Sequence, residues 1–301
     1  MSRLTVPPNF IGTQGSDTLV GEELNASSAI GIDILTGGFI SSFISTRSGN
    51  DTVQGTGAGD NGLDSTGGDG GDGIGISNSG YLDSGNGEDT IIGNGTGGLG
   101  GEGAEGGDGG DGIGIQNAKD GIITTGWGND TITGYGNSLG TNAIAYGIFN
   151  DGVIDTDNGS DILTGQATAT IGGTAYGIYG QGIIKTGNGN DEILATSTID
   201  GVRQKVTIGG GINIVLGTGN DYLQGFGAVT VDGGDGFDTL DLRAFNRSEL
   251  IISGVISGNT LNTANITLNS NGNSISLSTT GFEKFIFADS SFCYSTLANG
   301  A

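Results

Sequence analysis

The sequence predicts an all-β fold: a parallel β-solenoid with coils of about 30 residues, closed by a C-terminal antiparallel β cap. Three observations carry this. The pattern G-x-D-x-[VIL] recurs eight times along the 301 residues, with its aspartates at Asp17, Asp51, Asp89, Asp130, Asp161, Asp191, Asp221 and Asp238. Six of these units place an apolar residue seven positions before the aspartate: Ile44, Leu82, Ile123, Ile154, Ile184 and Ile214. Helical periodicity and capping signals are almost absent, whereas short segments alternate with period two between Gly, Asn and Asp turns.

The aspartates are spaced by 34, 38, 41, 31, 30, 30 and 17 residues, so the regular part of the repeat is near 30. The best-formed unit reads GIYGQGIIKTGNGNDEIL, residues 177–194. One such unit is too short to bury its own apolar side chains. Stacking copies about 4.8 Å apart sets isoleucine on isoleucine and makes a continuous core.

Residues 1–240 are therefore read as the solenoid, with glycine-rich insertions near 56–73 and 94–112. Residues 97–112 fall into Gly-Gly-x triplets, which a polyproline-II strand would present with Glu102, Glu105, Asp108 and Asp111 along one edge. The entropy that glycine loses on ordering favours a flexible loop here. After Thr239 glycine becomes sparse, and alternating segments at 250–256, 265–270 and 274–278 suggest hairpins, so residues 241–301 are read as the cap that covers the last coil's open edge.

Composition narrows the function classes. Nine Lys+Arg against 33 Asp+Glu give a net charge of −24, which repels phosphate and argues against a nucleic-acid partner. With no histidine and a single cysteine, Cys293, zinc sites, internal disulfides and a Ser-His-Asp triad are set aside. Cys293 is expected to pack within the cap. No apolar run reaches the roughly 20 residues of a membrane helix, and the first ten residues lack the core of a signal peptide.

Residues 233–241, GGDGFDTLD, match the nonapeptide G-G-x-G-x-D-x-U-x at every specified place. Partial matches occur at 85–92, 126–133, 187–194 and 217–224, and residues 157–164 lack the second glycine. The chain resembles the repeats-in-toxin (RTX) family of calcium-binding, hemolysin-type repeats. That resemblance implies that turn carbonyls and aspartate side chains of successive coils enclose Ca²⁺. The metal-binding set it implies is Asp17, Asp51, Asp89, Asp130, Asp161, Asp191, Asp221, Asp235 and Asp238, with the turn glycines Gly128, Gly159, Gly189, Gly219 and Gly236. The segment 281–297 also resembles the ends of RTX proteins exported by type I machinery, which implies an extracellular or cell-surface location.

Physical chemistry points the same way. Calcium takes six to eight oxygens, and a glycine-rich turn can aim successive carbonyls inward. Two carboxylates 4.8 Å apart repel by about 3.5 kcal/mol at an effective dielectric near 20, so a file of them needs cations. This chain departs from the family in carrying one nonapeptide-like turn per longer coil, with Thr46, Ser84, Thr125, Thr156 and Thr186 at the turn's first position. Asp17 and Asp51 lack neighbours at the regular spacing and carry the weakest case.

The leading expectation is a secreted calcium-binding scaffold with a structural, cell-surface or adhesion role that folds when calcium arrives, with Ca²⁺ as its cofactor. Polysaccharide or cell-surface components are the candidate macromolecular partners. One alternative is a polysaccharide lyase or epimerase with Lys185, Arg203 and Lys205 as bases, although no cluster of cations is visible in the sequence. Another is an ice-binding face of Thr and Asn rows. Trp127, Tyr135, Tyr146, Tyr176 and Tyr179 are read as surface or core ladders before a sugar-binding face.

Overall fold

In the computed structural model, residues 2–37, 40–63, 67–102, 106–170, 172–254, 263–270 and 272–293 are described. Glu105, part of the predicted hairpin at 255–256, and the end of the export-like segment lie outside them. Three long sheets of mainly parallel strands dominate the chain, and no α-helix occurs among the described residues. Each repeat up to Asp221 supplies one strand to each of the three sheets in turn. Thus Phe43–Ser45 enters the second sheet, Thr52–Gly59 the third, Asp72–Asn78 the first, and Tyr81–Asp83 the second again.

The apolar repeat positions fall into register. Ile44, Leu82, Ile123, Ile154, Ile184 and Ile214 are successive neighbours in the second sheet, followed by Val231. Leu19, Val53, Ile91, Ile132, Leu163, Ile193, Leu223 and Leu240, each two residues after its aspartate, form a matching file in the third sheet. A further file of Ile32, Ile76, Ile115, Ile148, Ile178 and Ile208 runs through the first sheet. All three files meet in one buried cluster. Burying these files needs the neighbouring coils above and below.

Where their glycines face each other, the first and third sheets approach so closely that no side chain fits between them. A Cβ on Gly93 would overlap the Gly114 carbonyl, and one on Gly134 would overlap that of Gly147. Much of the glycine content therefore serves close packing as well as turns.

The glycine-rich segments differ from the flexible loops expected of them. Residues 56–59 and 94–97 belong to third-sheet strands. The described triplets beyond them are laced by main-chain bonds, including Gly62 to Leu99 (2.8 Å), Gly70 to Asp108 (2.9 Å), Gly101 to Gly68 (2.8 Å) and Gly110 to Gly98 (2.9 Å). Asp69 and Asp72 accept the amides of Asp108 (3.0 Å) and Asp111 (2.8 Å). Without side chains, extended glycine segments can lie near enough to bond each other, and these bonds offset the entropy cost.

At the C-terminal end, Ile251–Gly254, Ala264–Ser270 and Asn273–Thr280 pair antiparallel, and the last of these joins Val229–Asp232. Lys284–Phe287 extends the third sheet in parallel and is itself covered by Ser291–Cys293. Cys293 is exposed at this edge rather than packed in the cap, because its short strand is the outermost of the sheet. Tyr146, Phe149, Tyr176 and Tyr179 form a half-buried surface cluster with ring centroids 4.9–6.4 Å apart, while Trp127 and Tyr135 are exposed away from it.

Candidate metal centre

The G-x-D turns connect the second sheet to the third, so parallel stacking of the flanking strands places the turns directly over one another. The result is a single file of carboxylates. The amide of Asp17 donates to Asp51 Oδ1 (2.7 Å), that of Asp51 to Asp89 Oδ1 (2.8 Å), and that of Asp89 to Asp130 Oδ1 (2.8 Å). The series continues from Asp130 to Asp161 (2.8 Å), Asp161 to Asp191 (2.9 Å), Asp191 to Asp221 (2.8 Å) and Asp221 to Asp238 (2.8 Å). Asp17 and Asp51 thus join the file despite their irregular spacing, because the extra residues lie at the other two corners, between the first and second sheets in the repeat that starts at Asp17 and between the third and first sheets in the one that starts at Asp51. Asp235 lies off the file, exposed, in a strand position beside Thr218.

From Asp51 to Asp238 each file aspartate is at most 1% exposed. Only one oxygen of each is satisfied: Oδ2 of Asp51, Asp89, Asp130, Asp161, Asp191, Asp221 and Asp238 is buried with no hydrogen-bond partner. An unpaired buried carboxylate oxygen is costly, and here the same oxygen recurs along the axis. Burial pushes the carboxyls of Asp89, Asp130 and Asp238 up to about 6 and that of Asp191 up to about 7, and it raises those of Asp161 and Asp221. The amide bond from the preceding coil pulls each back without cancelling the effect.

Both ends of the file are finished differently. Asp17, half-buried in the first repeat, has its Oδ2 bonded by the amide (2.7 Å) and hydroxyl (3.2 Å) of Thr13. At the other end the amide of Asp238 donates to Glu283 Oε2 (2.7 Å), a residue from the cap.

The turn glycines are required by backbone conformation. Gly128, Gly159, Gly189, Gly219 and Gly236 have φ between +139° and +150°, and a Cβ on any of them would overlap the carbonyl of the glycine one coil earlier. At the turn's first position, Thr46, Thr125, Thr156 and Thr186 are buried, and their hydroxyls donate to the carbonyls of Ser84 (2.8 Å), Thr156 (3.3 Å), Thr186 (3.1 Å) and Leu216 (2.8 Å). Threonine here keeps the turn and adds a bond between coils.

Sequence reasoning missed a second ladder at the residue before each aspartate, running the opposite way. Asn129 Oδ1 accepts the amide of Ser160 (2.8 Å), Ser160 Oγ that of Asn190 (3.1 Å), Asn190 Oδ1 that of Asn220 (2.7 Å), and Asn220 Oδ1 that of Phe237 (3.0 Å). The recurring G-N-D and G-S-D triplets held that signal. The Asn158–Asn188–Thr218 row is likewise bonded along the axis, and the exposed Trp127 stands next in its register.

Among the described residues no three acidic side chains converge on one point. An ion in this file would sit against carboxylates of successive coils, with main-chain carbonyls completing its shell, and Ca²⁺ accepts that all-oxygen, variable geometry. The donor chemistry and the partnerless oxygens fit such an ion.

Comparison with family models, with curated proteins and with solved structures found no match.

The basic residues named as candidate bases separate. Lys185 pairs with Asp155 on the second sheet at 3.5 Å. Arg203 and Lys205 line a cavity that also holds Arg243, a convergence invisible in the sequence.

Proposed function

We propose that this chain is a calcium-binding, RTX-like β-solenoid with coils of about 30 residues, stabilised by a single file of ions, and that its role is structural or adhesive at the cell surface. The observation that carries this reading is the recurrence of one buried, partnerless carboxylate oxygen from Asp51 to Asp238. A divalent ion beside each pair of coils supplies the missing partner and offsets the repulsion of like charges.

Protons are the competing counterion, since burial raises these carboxyls toward neutral pH. At cytosolic calcium levels the file would be unfilled and the coils poorly held. Outside the cell, where calcium is abundant, binding energy becomes folding energy. This order of events suits export of a loose chain through type I machinery, in keeping with the resemblance of residues 281–297 to the ends of such substrates.

The reading is tested by calorimetric titration of calcium into the metal-free protein and into Asp130→Asn. The wild type is expected to take up several ions per chain, and the variant fewer. Equal uptake by the two proteins, or none by either, overturns the proposal.

A further inference from the structure

The repeat from Asp221 to Asp238 is 17 residues long where the two before it have 30: it adds no strand to the first sheet, and its third-sheet strand is short. Strand Glu192–Ile199 has eight residues, whereas its neighbours Tyr222–Gln224 and Thr239–Leu242 have three and four. The chain after Ile199 folds back as Val202–Arg203, antiparallel to its own strand. Between this hairpin and the shortened strands lies a cavity of ≈ 380 Å³.

Three of the nine basic residues in a chain of net charge −24 meet there: Arg203, Lys205 and Arg243. Arg243 is bound through Nε (2.8 Å) and Nη2 to the buried Asp241, whose other neighbour is the Tyr222 hydroxyl. Although burial raises Asp241, the bonds from Arg243 and Tyr222 outweigh it and hold the carboxyl below its ordinary range. Asp241 is therefore a fixed anion that positions Arg243. Lys205 pairs with Glu249 at the rim. Arg203 is exposed and makes no side-chain hydrogen bond or ion pair among the described residues. Three cations against two anions leave one positive charge in surplus, carried by the arginine with no partner. The buried rings of Phe226 and Phe245 supply an apolar wall.

We propose that this cavity binds a small organic carboxylate of monosaccharide size, of the uronic acid class, with Arg203 as the group that takes its charge. Guanidinium matches a carboxylate bidentately. The volume lies in the range of small-molecule sites and exceeds what an inorganic anion fills, and the apolar wall favours a ligand with a carbon body.

Ligand-observed NMR on the full chain in about 1 mM calcium, with glucuronate, glucose and sulfate as probes and Arg203→Ser as the variant, tests this. Glucuronate is expected to bind at least about tenfold tighter than glucose or sulfate, and Arg203→Ser to weaken it about fivefold or more with the melting temperature unchanged. Parity of glucose or sulfate with glucuronate, an unaffected variant, or no glucuronate binding up to about 20 mM overturns the proposal.

Discussion

The amide of Asp238 donates to Glu283 Oε2 at 2.7 Å, so the cap's glutamate occupies the place that the next coil's aspartate would fill. A ladder that hands each amide to the following carboxylate would otherwise end on a buried, unsatisfied donor. Glu283 is thus the terminal member of the file, supplied from a segment that has no G-x-D motif.

Replacing it separates hydrogen bonding from charge. Glu283→Ala removes the acceptor and should destabilise the calcium-loaded protein by about 1–2 kcal/mol, whereas Glu283→Gln, which retains an amide oxygen, should cost less. Chemical denaturation in calcium checks the ranking, and equal costs would contradict the capping role.

Asp191→Asn should have opposite effects in two conditions. The amide oxygen still accepts from Asp161, but the buried charge is gone. In excess chelator at pH 8 the variant is expected to be more stable than the wild type by about 2–4 kcal/mol, from a carboxyl otherwise displaced from 3.8 to about 7. In saturating calcium it should be less stable, for want of a ligand. Residual β-content by circular dichroism in the chelator buffer and the melting temperature in the calcium buffer read the two signs.

The pH dependence of the metal-free protein follows from the same carboxyls. Their folded pKa values lie above the unfolded one, so the protonated file is favoured: its stabilisation is full below about pH 4 and is lost as pH rises through 6 to 7. Metal-free protein should therefore melt higher at pH 5 than at pH 8. Calcium-loaded protein should show the reverse, because protons displace the ion. Two melting curves that fail to cross would remove titration of the file from the account.

Gly159→Ala tests the turn. Its φ of +150° and the Gly128 carbonyl beside it leave no room for a methyl group. Strain and displacement together should cost about 3 kcal/mol or more. A substitution that leaves stability unchanged would mean that the coils are not stacked as closely as described.

The Asp file and two of the three apolar files were legible because their residues recur at fixed offsets from the aspartate. The first-sheet file from Ile32 to Ile208 was not, since insertions of varying length separate it from that landmark. Insertions also made Asp17 and Asp51 look isolated, although these lie at the other two corners of the coil, after Ile34 in the first repeat and after Gly59 in the second. A buried asparagine ladder was also hidden: Asn78 Nδ2 donates to Asn117 Oδ1 (2.8 Å) and Asn117 Nδ2 to Asn150 Oδ1 (2.8 Å), at separations of 39 and 33 residues. Glycine triplets read as mobile because propensity prices each residue alone, whereas main-chain bonds such as Gly62 to Leu99 join segments of different repeats. Glu283 and the Arg203–Arg243 cavity come from chain ends and hairpins brought together only by folding.

The central claim is that cations hold the carboxylate file together, and far-ultraviolet circular dichroism at pH 8 during calcium addition to chelator-treated protein tests it most directly. The account predicts little β-structure at the start and a cooperative gain that saturates with several ions bound per chain. Full β-content in excess chelator at that pH, unchanged by calcium, would contradict it.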